Sequence, residues 1–263
     1  MSQVADLTID ARGVATITLN RPEVHNAFDD LLIARLIDLI GQARDDPHVN
    51  VLVLASTGKS FSAGADLGWM RRMADATRED NLKDAHQLAA LMENLNSFPC
   101  PTVARIQGAV MGGGVGLVAC CDVAIAGDNA FFALSEVKLG LAPAVISPYV
   151  IAKIGTSQAR RYFVTAERFS AIRAAAIDLV HEVVPATELE AKTEQIIVAL
   201  LANGPQAMRR AKELAQVANP LPATPALRDY TTGVIADLRA SEEGKEGLRA
   251  FLEKESPSWI AKR

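Results

Sequence analysis

The run Met111-Gly-Gly-Gly-Val-Gly-Leu-Val-Ala-Cys-Cys-Asp122 puts four glycines into five positions just ahead of an apolar, helix-like pattern. Glycine at a helix entry costs backbone entropy. It is retained where the chain must turn through positive φ, approach another backbone closely, or present bare N–H groups. Ahead of it, Thr102–Ile106 is a short β-rich run following Pro99 and Pro101, so the segment reads as strand, glycine loop and helix. That unit builds α/β folds, whose ligands gather at loops leaving the strand ends.

The flanking pattern agrees. Leu7–Asp10 and Val14–Leu19 read as a hairpin turning at Ala11-Arg-Gly13, and from Phe28 the residues Leu31, Leu32, Leu36, Leu39, Ile40 and Ala43 recur at helical spacing. Val51–Ala55, Val123–Ala126 and Phe131–Leu134 read as further strands, with helices over Leu67–Met73 and Asn81–Leu95 and near Val115–Cys121. Beyond about Ile146 the pattern is helical, over Ser147–Ile154, Ser157–Val164, Ala171–Asp178, Glu188–Leu201, Pro205–Val217, Ala226–Leu238 and Glu242–Lys254. A short strand at Glu182–Val184 is the one interruption considered. The expectation is a mixed α/β core over residues 1–195 followed by a smaller helical region over 196–263.

Composition narrows the partners. The formal charge is −4 and no block of like charges occurs, which argues against a nucleic-acid face or a basic membrane anchor. No apolar stretch approaches a membrane span and no signal-peptide pattern opens the sequence, so a cytoplasmic protein is expected. Cys100, Cys120 and Cys121 form no C-x-x-C pair, and a disulfide framework or thiolate zinc site is not expected.

Familiar motifs fail by inspection. Gly113 is followed by Gly114-Val115 where a phosphate-binding loop needs Lys-Ser/Thr, and G-x-G-x-x-G breaks at Leu117. Gly58-Lys-Ser-Phe-Ser lacks the last glycine of a nucleophile elbow, and His181-Glu182 leads to no second histidine. What remains is a pair of loops with bare backbone, Phe61-Ser-Ala-Gly-Ala-Asp66 and Gly108-Ala-Val-Met-Gly-Gly-Gly114. Two N–H donors from separate loops suit a developing oxyanion, while small residues that only permit close packing leave the same pattern.

Taken together, Asn20-Arg-Pro, Asn26-Ala27, Phe61–Asp66, Gly108 with Gly112–Gly114, Cys121-Asp122, Leu134-Ser-Glu136, Leu139-Gly-Leu, Pro143 and the Ser241–Phe251 tail resemble the enoyl-CoA hydratase/isomerase (crotonase) superfamily over nearly the whole chain. The resemblance implies a spiral of ββα units with a helical C-terminal region used in trimerisation. It implies a homotrimer or a dimer of trimers, an acyl-CoA thioester substrate, and no metal, flavin or nicotinamide. By position, Ala63 and Gly113 correspond to the oxyanion donors and Glu136 to the catalytic acid/base. Ala63, Gly64, Ala65 and Asp66 would line the coenzyme A arm, with Phe251 and Lys254 reaching the adenine of a neighbouring subunit. The second glutamate of two-carboxylate hydratases falls at Gly116. That leaves open single-glutamate hydration and single-glutamate isomerisation.

A finer resemblance runs through Pro22–Asp30, Gly64–Met73 and Cys120–Pro148, which are similar to bacterial methylglutaconyl-CoA hydratases and to relatives acting on carboxygeranoyl-type CoA esters. Such substrates carry a second carboxylate. Arg71 or Arg72, or Lys138 near Glu136, is expected to neutralise it, and Trp69 and Met70 to line the acyl pocket beside Gly116. The four histidines are scattered, and of these His25 is the one considered for a coenzyme A contact.

Overall fold

The computed structural model describes residues 4–218, 226, 232–235, 237, 238 and 241–260, except for the side chain of Phe251. Strands β1 (Ala5–Ile9) and β2 (Val14–Leu19) form the expected antiparallel hairpin. Its turn is fixed by Asp10, whose Oδ1 accepts from the N–H groups of Arg12 at 2.8 Å and Val14 at 3.0 Å. Helix α1 (Asp30–Asp45) starts at the Asp29 cap and buries Leu32, Ile33, Leu36, Leu39, Ile40 and Ala43, one apolar stripe at helical spacing.

The main sheet runs β1-β2-β3-β4-β6-β9, with β3 (Val51–Ser56), β4 (Thr102–Ile106), β6 (Val123–Gly127) and β9 (Glu182–Val184) parallel to β2. Parallel sheets are covered on both faces, and β3 is buried at every position. Leu52 and Leu54 enter the large core, while Val51 and Val53 enter a second one closed by Leu189 and Ile197 of α7 (Leu189–Leu201). The period of two divides one apolar run between two cores.

A smaller sheet, β5-β7-β8, joins Ala109–Met111, Phe131–Ala133 and Phe169–Ser170. Sequence patterning reads the first of these as loop and passes over the last, because two or three residues show no period. Helix α2 covers Leu67–Ala74, α3 covers Arg78–Asn96, and α4 covers Gly113–Cys120, two residues earlier than its apolar run suggests. From Gly114 to Cys120 every residue of α4 is buried, which is why that run is apolar all round.

Ser147–Ile154 and Ser157–Val164 are two helical stretches of α5 (Ser147–Thr165), separated by a kink at Gly155, which stands at φ 70° and ψ 160°. Helices α6 (Ala171–Ala176), α7, α8 (Pro205–Val217) and α9 (Glu242–Glu253) make the last part of the described chain mainly helical. Of the expected helix 226–238, residues 226, 232–235, 237 and 238 are helical and the remainder lies outside the described residues. Among the described residues no helix is long and apolar enough to cross a membrane.

Candidate active site

The loop after β3 lies alongside the segment after β4. Ser62 bridges Val110 in parallel, with Ser62 N–H donating to Ala109 O at 3.1 Å and Met111 N–H to Ser62 O at 2.9 Å. Gly64 has φ 86°, and a Cβ there would stand 3.2 Å from Met111 O, so both conformation and contact call for glycine. Ala65 bridges Phe28: Phe28 N–H donates to Gly64 O and Asp66 N–H to Phe28 O, both at 2.7 Å. In that parallel pattern Phe28 uses its own groups on the neighbours of Ala65, and the Ala65 amide points to the other side.

The donor expected at Ala63 is thereby corrected. Ala63 N–H donates to His25 O at 2.9 Å and faces the wrong partner for a ligand oxygen. Among the described residues the Ala65 N–H meets no acceptor, and Ala65 is exposed. The second amide is that of Gly113, at the first position of α4, where no intrahelical acceptor exists and none is found among the described residues. The Phe28 ring lies against Gly113, where a Cβ would be 3.3 Å from Cε2, so one residue holds both amide-bearing segments side by side. The helix N-terminus adds its positive dipole end there.

Glu136 opens a short 3-10 turn, Glu136–Leu139, directly after β7. Gly112, at φ 48° and ψ −117°, turns the chain so that a Cβ would sit 3.2 Å from Glu136 Oε1. Oε2 is buried and has no hydrogen-bond partner among the described residues. Loss of solvent raises the Glu136 pKa above the ordinary carboxylate value. The site therefore presents two free amides and one carboxyl group able to hold or release a proton nearer neutrality.

Gly116 lies one turn into α4, and its place is closed. A Cβ there would overlap Ile146 Cγ2, stand 2.9 Å from Ile146 Cβ and 3.2 Å from Met92 Cε. Side chains from the α5 entry and from α3 fill the volume in which a second carboxylate would stand.

Asp66 caps α2, accepting at Oδ1 from Gly68 N–H at 2.8 Å and Trp69 N–H at 3.1 Å. Its pKa falls below the usual carboxylate value, the Trp69 amide being the largest lowering influence, with burial opposing it. Trp69 is buried, with Nε1 donating to Asp84 at 3.1 Å, and Met70 is half-buried beside it. Arg72 is paired with Asp30 of α1, whereas Arg71 and Lys138 are exposed and have no polar partner among the described residues. Lys254 is exposed just past α9, with no contact to these loops found among the described residues; the Phe251 side chain lies outside the described residues.

Sequence reasoning missed an adjacent cleft of about 730 Å³, lined by Lys59, Gln107, Phe131 and Arg168 together with His25 and Ala63. Lys59 sits in the loop that already attracted notice, but Arg168 lies far away in sequence and stands over the Phe131 ring at 5.1 Å. The other singled-out groups are structural. Burial pushes the Cys121 thiol up to about 12 and the Cys120 thiol up as well, and His181 Nδ1 accepts from Ala124 N–H at 2.9 Å. Among the described residues no group of three or more His, Cys, Asp or Glu converges as metal ligands.

The enoyl-CoA hydratase/isomerase family matches residues 10–262. The crystal structure of an enoyl-CoA hydratase from Shewanella pealeana superposes with a TM-score of 0.93 at 45% identity, covering 97% of this chain and 96% of that one. Hydroxycinnamoyl-CoA hydratase-lyase of Pseudomonas fluorescens is 32% identical over 257 residues, 93% of this chain and 90% of its own. The trans-2-decenoyl-acyl-carrier-protein isomerase of Streptococcus mutans is 30% identical over 255 residues, 95% of each. The chain has a crotonase α/β fold with a helical C-terminal region, and its relatives carry both hydratase and isomerase names. The chain belongs to the enoyl-CoA hydratase/isomerase family.

Proposed function

We propose that this protein is an enoyl-CoA hydratase that adds water across the double bond of a branched, carboxylated α,β-unsaturated acyl-CoA such as methylglutaconyl-CoA. The observation that carries the reading is Glu136: one half-buried carboxyl group whose Oε2 is buried and unpartnered, beside two free amides. The thioester oxygen accepts from the Ala65 and Gly113 N–H groups as Cα gains enolate character. Glu136 takes a proton from water as its oxygen bonds to C3, then delivers that proton to C2. Both movements use one carboxyl group because the volume at Gly116 holds Ile146 and Met92.

Arg71 and Lys138, exposed cations with no polar partner among the described residues, are the groups proposed to meet the substrate's second carboxylate. Arg72 is the weaker candidate since Asp30 already occupies it. Lys59 and Arg168 give the adjoining cleft positive charge suited to the phosphates of coenzyme A. The enzyme is proposed to work in the cytoplasm as a homotrimer or dimer of trimers. Leu139, Leu141, Val164 and Ile172 are exposed apolar side chains that assembly would cover.

The same closed volume at Gly116 favours a second reading, an isomerase in which Glu136 removes a proton at one carbon and returns it two carbons away. Incubation with a panel of enoyl-CoA thioesters in water enriched in heavy oxygen separates the two. Label in the product, greatest with a carboxylated branched substrate, is expected. Product of unchanged mass with a displaced double bond would establish the isomerase instead.

A further inference from the structure

The Asn20-Arg21-Pro22 motif has no part in the chemistry above, yet its arginine lies half a dozen residues from the bridge that aims Ala65. We propose that Arg21 is a positioning residue whose guanidinium holds the Phe28–Ala65 bridge in register and so aims the Ala65 N–H at the thioester oxygen. The proposal rests on the oxyanion role given to Ala65 and Gly113.

The bridge is a weak join by itself. It consists of two hydrogen bonds between loops rather than a strand pair, Phe28 N–H to Gly64 O and Asp66 N–H to Phe28 O. At its end two carboxylates are brought together by helix capping. Asp29 Oδ1 accepts from Leu32 N–H at 2.8 Å to start α1, and Asp66 Oδ1 accepts from Gly68 and Trp69 to start α2. Their side chains are only 12% and 18% exposed, so water screens an ion pair to either of them only in part.

Arg21, itself 15% exposed, lies between them. Its Nη1 is 2.8 Å from Asp29 Oδ2 and donates to Ala27 O at 2.8 Å, and its Nη2 reaches Asp66 Oδ2 at 3.4 Å. One planar fork therefore touches the residues on both sides of Phe28 and the residue after Ala65. The arginine is anchored in turn: Arg21 N–H donates to Asn26 Oδ1 and Asn26 N–H to Arg21 O, both at 2.8 Å. Buried Asn26 donates onward to Thr57 O and Ser60 O at 2.8 Å, tying the cation to the loop that carries Ala65. Without the fork no side chain ties Asp66 to Asp29 and Ala27, and the Asp66 amide is one of the two bonds of the bridge.

The test compares wild type with Arg21→Lys, Arg21→Gln and Asp66→Asn. The last keeps the cap on α2 and removes the ionic partner. Turnover is measured with KM and kcat separated, and a 3-oxoacyl-CoA probe, acetoacetyl-CoA, reports on the oxyanion donors through the near-ultraviolet absorbance of its bound enolate. For the glutamine variant we expect kcat lower by about ten-fold or more with KM within about two-fold, because misplaced groups lose rate before affinity. The enolate absorbance falls with it, and Arg21→Lys lies between. Folded variants with unchanged kcat and absorbance, or with raised KM alone, overturn the proposal. Should neither Arg21 variant fold, the same readings on Asp66→Asn decide. A wild type that forms no enolate removes the oxyanion reading and the Arg21 role with it, whereas enolate formed equally by all variants removes the Arg21 role alone.

Discussion

Glu136 is asked to be both stable and reactive, and its burial sets the two against each other. At low pH it is protonated whether the chain is folded or not, and burial costs little. As pH rises through the ordinary carboxylate range the unfolded chain releases the proton first, so folding loses free energy until the raised folded pKa is passed. Glu136→Gln should therefore unfold at a higher temperature than wild type near neutral pH and at the same temperature in acid, as calorimetry at the two conditions would show. The same change should lower kcat by about 10²–10⁴, the usual worth of a general acid/base, with kcat/KM of wild type falling in acid around a pKa above the ordinary carboxylate value. Gly116 constrains the site from the other side. Alanine there gains up to about 1 kcal/mol of helix propensity, but its methyl meets Ile146 near the backbone, and overpacking of ~1–3 kcal/mol should prevail in urea unfolding.

The elements around the site were readable in proportion to their length. Helix α1 announces itself over four turns, and β3 over six consecutive buried residues. The three-residue β5 and two-residue β8 carry no period, yet β5 aligns the glycine run with the loop at Ser62. The choice between Ala63 and Ala65 was not legible for a related reason. Which amide is left free depends on His25 O and Phe28, acceptors more than thirty residues away in sequence and brought close only by the fold. Glu136 was legible through the family resemblance, which put it at the acid/base position, and the apolar run Phe131–Leu134 ahead of it fits a desolvated carboxylate. At the other end, α8 begins at Gly204-Pro205 with no side-chain cap of its own; Glu243 of α9 supplies one, accepting from Gln206 N–H at 2.9 Å and Ala207 N–H at 2.8 Å. Glu243→Ala should cost ~0.5–2 kcal/mol, the range for lost caps, and increase hydrogen exchange at the start of α8 and through residues 242–253 while leaving kcat alone.

At the scale of the molecule, two cores share one mostly parallel sheet, and the helical region must be fastened to its end. Arg209 and Gln216 of α8 donate to Val49 O and Asn96 O, and one further tie is ionic. Lys212 of α8 places Nζ 2.7 Å from Asp122 Oδ2 and donates to Cys100 O at 3.2 Å, with its side chain only 9% exposed. Asp122 follows α4 in the Cys-Asp motif, and its Oδ2 also accepts from the N–H of Thr102 at 2.8 Å and from its hydroxyl at 3.0 Å, so it joins β4, α4 and α8. Removing one member of such a pair leaves the other uncompensated, which costs about 3–5 kcal/mol when both are fully buried. Asp122, at 30% exposure, keeps part of its hydration, so Lys212→Met should lower the unfolding free energy by the smaller figure of ~2–3 kcal/mol. Asp122→Asn on that background relieves the unpaired charge while its amide oxygen still accepts from Thr102, and the double variant should regain part of the loss in urea unfolding. Because neither residue borders Glu136, Ala65 or Gly113, KM and kcat of the folded fraction should stay at the wild-type values. A fall in kcat without a fall in stability would instead mean that the helical region sets the geometry of the reacting loops.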